Sequence, residues 1–191
     1  MKPRYVLPAV VLLIALAARW FLAIEGSTPN SQPPLAHLVD LDTLRADFNH
    51  AASEMRAIVL LSQSCPYCLK GATSIQRVLD ARAQRPVSIF VVWQPILPTD
   101  WALPGTSVLS RLSDRRVLQY WDAERRFAGA LAASFSSREQ QPSCCYQNGV
   151  WWDMIAVFPR DVQWKDTLPE PILLEGTVDD AAQAFADVLD R

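Results

Sequence analysis

A surplus of positive charge is missing from this chain. Lysine and arginine total 18 against 20 aspartates and glutamates, which leaves a formal net charge of −2. Nucleic-acid binding asks for a basic face, so that class of function is set aside. The arginines that do cluster are Arg111, Arg115, Arg116, Arg125 and Arg126. Asp114, Asp122 and Glu124 stand among them, and the stretch reads as a solvated helix face. Methionine is scarce: Met1, Met55 and Met154 are the only ones, and none neighbours a cysteine. Internal repeats are absent. Cysteine is limited to Cys65, Cys68, Cys144 and Cys145, an even count that fits two disulfides without revealing their pairing.

Apolar residues are abundant, at half of the 191 positions. That length and composition suit one globular domain with a real core plus an additional segment. The addition is N-terminal. Lys2 and Arg4, in a basic end at residues 1–4, precede an apolar run from Tyr5 to Ala18; Arg19 interrupts it, and Trp20-Phe21-Leu22-Ala23-Ile24 continues it. At 1.5 Å per residue, residues 5–24 are long enough to cross a hydrocarbon core of roughly 30 Å. Arg19 can snorkel to the interface, and Trp20 suits that depth. The basic flank keeps the N-terminus on the cytoplasmic side and sends the rest across. A cleaved signal peptide competes, because Ala15-Leu16-Ala17 has the A-x-A form. Cleavage there exposes Trp20-Phe21-Leu22 at a new N-terminus, a poor start for a soluble protein. The expectation is an uncleaved transmembrane anchor. Either reading exports the domain to a compartment where disulfides persist.

Residues 25–37 hold three prolines among small polar residues and read as a semi-extended linker, with the domain over 38–191. Asp40 is placed to cap a helix that turns Leu41, Leu44 and Phe48 inward. Ala57–Leu61 suits a buried strand. Cys65-Pro66-Tyr67-Cys68 follows, then a helix to about Arg82 with Ala72, Ile75 and Leu79 on one face. Pro66 sits at the first helical position, which suits a residue without an N–H. Val87–Trp93 reads as a second buried strand, and Pro95, Pro98 and Pro104 mark a loop. Residues 106–133 read as one or two helices carrying Leu109, Leu112, Val117, Trp121, Phe127 and Leu131 inward. Residues 136–149 are polar. Trp152–Phe158 reads as a third strand and Ile172–Leu174 as a short fourth. Thr177 with Asp180 resembles a capping box before a last helix. The fold class is α/β: a central mixed sheet, parallel where helices cross between its early strands, with helices on both faces.

A thiolate, not a thiol, attacks a disulfide, and a free thiol has a pKa of about 8.5. The start of a helix stabilises the anion through its unsatisfied N–H groups and its dipole. Cys65 holds that place. Cys68 lies one turn deeper on the same side, where it can resolve a mixed disulfide on Cys65. Two other readings of the pair stay open. One is half of a zinc site completed by Cys144 and Cys145, although zinc sites take their second pair as CxxC or with histidine. The other is a structural disulfide, which in so small a loop constrains the unfolded chain little.

These features resemble the thioredoxin-fold oxidoreductases over roughly residues 38–190. The Pro66-Tyr67 dipeptide between the cysteines is the one found in glutaredoxins. The stretch Trp93-Gln94-Pro95-Ile96-Leu97-Pro98-Thr99-Asp100-Trp101, with Trp152-Asp153, looks like a membrane-anchored bacterial thioredoxin-like branch. The resemblance implies exchange with protein thiols or disulfides at Cys65 and Cys68. It implies no cofactor and no resident metal, and a domain on the periplasmic or extracellular side of a bacterial cytoplasmic membrane. The family usually carries a cis-proline just before the first strand of its hairpin, facing the first cysteine. Here that place reads Val150-Trp151-Trp152-Asp153, and Pro142 falls about ten residues too early. The buried acidic residue typical of thioredoxins has no counterpart in the sequence pattern.

Pro66, Tyr67, Trp151 and Trp152 are the candidate rim of the site. Cys144 and Cys145 are a candidate second redox pair. The alternatives to an oxidoreductase are a soft-metal module handling copper through both cysteine pairs and a thiol peroxidase with Cys65 attacking peroxide.

Overall fold

The computed structural model describes residues 34–135, 144–147 and 149–191. The expected membrane span at 5–24, its flank at 1–4 and most of the linker lie outside the described residues. Among the described residues no helix is long and apolar enough to cross a membrane.

In chain order the described elements are β1 (Leu35–His37), α1 (Asp42–His50), β2 (Met55–Leu61), α2 (Pro66–Ala81), β3 (Val87–Trp93), α3 (Thr106–Leu109), β4 (Val117–Trp121), α4 (Arg126–Phe135), β5 (Tyr146–Gln147), β6 (Val150–Trp151), β7 (Met154–Phe158), β8 (Leu173–Gly176) and α5 (Val178–Leu189). Six strands form one mixed sheet in the order β1-β4-β3-β2-β7-β8. The first four run parallel; β7 runs antiparallel to β2, and β8 antiparallel to β7. This order of strand, cysteine pair, helix, strand, antiparallel pair and helix fits a thioredoxin-like fold.

The continuous apolar runs of β2 and β3 follow from burial on both sides. Ala57, Val59 and Leu61 face a core layer with Ile75 and Leu79 of α2 and Phe185 of α5. Ile58 and Leu60 face the other layer, with Leu44 and Phe48 of α1 and Phe127 and Leu131 of α4. Phe48 meets the edge of Phe158 at 5.1 Å and of Trp164 at 6.0 Å between ring centroids. Such pairs add stabilisation of about 0.5–1.5 kcal/mol beyond burial.

One segment departs from the sequence reading. Residues 117–121 form a parallel strand between β1 and β3, not a helix. Val117 and Trp121 are four apart, and positions four apart share a face in a helix and in a strand alike. Buried Gln119 decides in favour of the strand. It accepts from Trp93 Nε1 at 2.7 Å and donates to the carbonyls of Leu109 and Leu112 at 3.0 Å each. β1 takes the last three residues of the stretch read as linker. The polar stretch before the third strand contains β5, which pairs with β6 as a small hairpin. Gly149 supplies its turn at φ 76°. Asp40 accepts from the Asp42 N–H at 2.9 Å and so serves α1 from one residue before its N-cap, Leu41.

Candidate active site

β2 ends at Leu61, and Ser62-Gln63-Ser64 carry the chain over the end of the sheet to Cys65. Cys65 is the N-cap of α2, and Pro66 follows at the first helical position. The Cys65 sulfur accepts the Cys68 backbone N–H at 3.5 Å, in the role a serine or aspartate oxygen usually fills. The Cys68 side chain, itself a hydrogen-bond partner of Cys65, is the largest influence on the Cys65 thiol. With the Cys68 and Tyr67 N–H groups it brings the pKa down to about 6, against burial and the charge of Asp153. Cys68 is pushed the other way, first by its hydrogen bond to Cys65, then by burial and by Asp153. Both cysteines are unbonded, with Cys65 9% exposed and Cys68 fully enclosed. Near neutral pH the pair is thus a thiolate held by a protonated neighbour, and the opening to solvent is at Cys65.

The loop after β3 clamps the approach to Cys65. Asp100 is fully buried and takes four hydrogen bonds: Ser62 Oγ at 2.6 Å, and the N–H groups of Ser64 at 3.0 Å, Ile96 at 2.9 Å and Leu97 at 2.9 Å. Burial alone pushes its carboxyl up; these donors outweigh it and hold the pKa below the usual aspartate value. Ser64 Oγ also meets Thr99 Oγ1 at 2.6 Å, and the Gln63 amide donates to the Ala102 carbonyl. Leu97, Trp101, Leu103 and Tyr67 project from this end into solvent, Trp101 at 85% exposure.

The segment before β7 closes the other side. Trp151 is buried in the second core layer, and its carbonyl accepts from the Gln94 amide at 2.7 Å. Trp152 is half-buried and packs on the first layer, which contains Cys65 and Cys68. Trp151 thus belongs to the core, and of the two only Trp152 packs on the layer that contains the cysteines. Pro66 and Tyr67 are exposed at the start of α2.

Asp153 occupies the position where the resemblance places a cis-proline. It is 2% exposed, at φ 51°, with Oδ1 accepting the Val178 N–H at the start of α5 at 3.2 Å. Burial raises its pKa, and Asp179 and Asp180 push in the same direction. Its charge bears on both cysteines. The site therefore has a buried acid, which the sequence pattern did not reveal. Its one signal was a carboxylate inside the apolar run Val150-Trp151-Trp152-Asp153-Met154-Ile155. Aspartate tolerates the left-handed backbone that this corner requires.

Cys144 and Cys145 are joined to each other as a disulfide, with Cys145 at φ 73°. In that state they offer no thiolates to a zinc site. Among the described residues no three His, Cys, Asp or Glu side chains gather into a metal-ligand set. The Cys145 carbonyl accepts the Trp152 N–H at 3.0 Å. The Cys144 sulfur abuts Gly176, 3.0 Å from where a Cβ would stand.

No family model matches the chain, and no curated protein matches it. Among solved structures it is similar to a thioredoxin-like protein in its oxidised form, at 14% identity over 72% of this chain and 78% of that one, with a TM-score of 0.44. It is also similar to a thiol:disulfide interchange protein from Bacteroides sp., at 11% identity over 75% and 78%, with a TM-score of 0.45. A secreted Mycobacterium tuberculosis disulfide oxidoreductase resembles it at 12% identity over 74% and 84%, with a TM-score of 0.39.

Proposed function

We propose that the chain is a thiol–disulfide oxidoreductase held by residues 5–24 on the outer face of a bacterial cytoplasmic membrane, with Cys65 as nucleophile and Cys68 as resolving thiol. One observation carries the redox reading: the Cys65 sulfur caps α2 while Cys68, one turn on, donates to it. The Cys65 thiolate attacks one sulfur of a partner disulfide. A Cys65–partner bond forms, the partner's S–S bond breaks, and its second sulfur leaves as a thiolate. Cys68 then gives its proton to that departing thiolate and attacks Cys65, releasing the first partner sulfur as a thiolate. Two electrons reach the partner, and Cys65–Cys68 is left as a disulfide. Run backwards, the same steps oxidise a dithiol. Solvent meets the pair only at Cys65, so the first bond forms there.

The test is dithiothreitol-driven reduction of insulin by the full-length chain. Catalysis should vanish in Cys65→Ser, and Cys68→Ser should accumulate a mixed disulfide with insulin. Catalysis that survives Cys65→Ser removes the assignment. The tether rests on the apolar span and its basic flank. It predicts that the chain stays in the membrane pellet after a carbonate wash; a soluble mature form starting near Ala18 overturns it.

A further inference from the structure

We propose that the Cys144–Cys145 disulfide is a second redox centre that accepts two electrons from the Cys65–Cys68 dithiol of the same molecule. The inference rests on the oxidoreductase reading and adds an internal acceptor to it.

Its basis is placement. Cys65 and Cys68 lie in the first core layer and Cys145 packs on the second, and the segment entering β7, Trp152-Asp153, has contacts toward each pair. Trp152 packs on the cluster that contains Cys65 and Cys68, and its N–H is bonded to the Cys145 carbonyl at 3.0 Å. The Asp153 side chain acts on both active-site sulfurs. Its carbonyl oxygen and the Cys144 sulfur converge on one spot, 2.7 Å and 3.0 Å from the Cβ that Gly176 lacks. The other oxygen-bearing end of Asp153 is bonded to Val178, two residues beyond Gly176. Val178 in turn presses on Gly71, where a Cβ would come within 2.8 Å of it, one turn along α2 from Cys68. Cys65 and Cys68 are unbonded, and Cys144 and Cys145 are joined to each other. Trp152 and Asp153 are thus shared neighbours of the proposed donor and acceptor.

The transfer balances without a further reactant. The Cys65 thiolate attacks one vicinal sulfur; a new S–S bond forms as the Cys144–Cys145 bond breaks, and the second vicinal sulfur becomes a thiolate. Cys68 gives its proton to that thiolate and attacks Cys65, and the first vicinal sulfur leaves. Cys65–Cys68 ends as a disulfide and the vicinal pair as one thiol and one thiolate. Opening the vicinal ring also frees Cys145 to leave φ 73°, a region that side chains other than glycine rarely hold. Cys145 is bonded to Trp152, so the redox state of the second pair reaches the wall of the first.

The experiment follows Cys144 and Cys145 in the oxidised full-length chain during reduction by dithiothreitol, with acid quenching, maleimide labelling and peptide mass mapping. In Cys65→Ala Cys68→Ala the vicinal pair should be reduced about tenfold more slowly, or worse, than in the wild type. Wild type that is reduced, alkylated at Cys65 by iodoacetamide near pH 6 and then reoxidised at Cys144–Cys145 should show the same slowing without any mutation. Cys68→Ser should yield a peptide pair linking Cys65 to Cys144 or Cys145. Equal reduction rates in the blocked and unblocked wild type overturn the proposal, as does a Cys68→Ser chain with no internal link. Insulin reduction measured in parallel separates the two ideas. Catalysis that persists while internal transfer is absent removes only the second centre. Absence of catalysis in the wild type removes the oxidoreductase reading itself.

Discussion

The Asp153 carboxylate accepts the Val178 backbone N–H at 3.2 Å, fastening the corner before β7 to the first residue of α5. The bond and the helix start offset part of the cost of burying a carboxyl group there. The charge that remains opposes a thiolate on Cys65. Asp153→Asn keeps the shape and an acceptor oxygen but removes the charge. The Cys65 midpoint, read by thiolate ultraviolet absorbance, should then fall below about 6. The shift should be on the order of half a unit, under 1 kcal/mol. A midpoint that stays or rises would show that this carboxyl does not oppose the thiolate.

The opposed shifts of Cys65 and Cys68 set a pH dependence of stability that differs between redox states. The Cys65 thiol lies at about 6 in the fold, well below its ordinary value. Across that window the folded chain binds fewer protons than the unfolded one, so the stability of the reduced form rises with pH. Its contribution is complete above the unfolded value and is lost as pH falls through the folded one. Cys68 is raised, so above its ordinary value the folded chain binds more protons and stability declines. The reduced form should therefore peak near pH 9, while the oxidised form, with neither thiol titrating, shows no such peak. Urea unfolding of both forms across this range checks it. Cys68→Ala, which removes the side-chain donor, should carry the Cys65 midpoint back towards 9; Cys68→Ser, which keeps an O–H, should carry it less far.

Asp100 anchors the loop after β3 to the turn that leads into Cys65. Asp100→Ala strands Ser62 Oγ and three N–H groups. The loss should be about 3 kcal/mol or more, given what buried charge-assisted hydrogen bonds contribute. The sign with pH follows from its lowered pKa. The stabilisation is present above the ordinary aspartate value and fades as pH falls through the lower folded value. Urea midpoints of wild type and variant should accordingly converge in strong acid. A difference that persists unchanged there would assign the loss to packing instead.

The two central strands were legible because burial on both faces leaves unbroken apolar runs, Ala57–Leu61 and Val87–Trp93. The helix after Cys65 was legible from Pro66 and from the spacing of Ala72, Ile75 and Leu79. β4 was not, because the separation of Val117 and Trp121 fits either period and the deciding contacts of Gln119, with Trp93 and Leu109, lie 26 and 10 residues away, outside any local periodicity. Asp100 and Asp153 escaped for a related reason. A carboxylate in a proline-rich loop or at a strand entry reads as solvated until the fold brings N–H groups to it. Cys144 and Cys145 could be singled out, but their bond to each other and their position against Gly176 depend on how β5, β6 and β8 converge.

Gly176 tests that convergence directly. A methyl group there would lie 2.6 Å from Met154 Sδ, 2.7 Å from the Asp153 carbonyl oxygen and 3.0 Å from Cys144 Sγ. The methionine end can swing away, but the carbonyl belongs to the β7 corner and cannot. Gly176→Ala should therefore destabilise the fold by about 1–3 kcal/mol, as overpacking of a filled site does. The displacement would fall on Asp153 and Cys144 before reaching the rest of the sheet. The expected signature is a lower urea midpoint together with faster labelling of Cys144 under limiting dithiothreitol. Gly105→Ala is the control, because nothing lies within 4 Å of the Cβ it would add. Equal stability of the two variants would mean that the corner yields freely, and that Gly176 is not what holds the vicinal pair against Asp153.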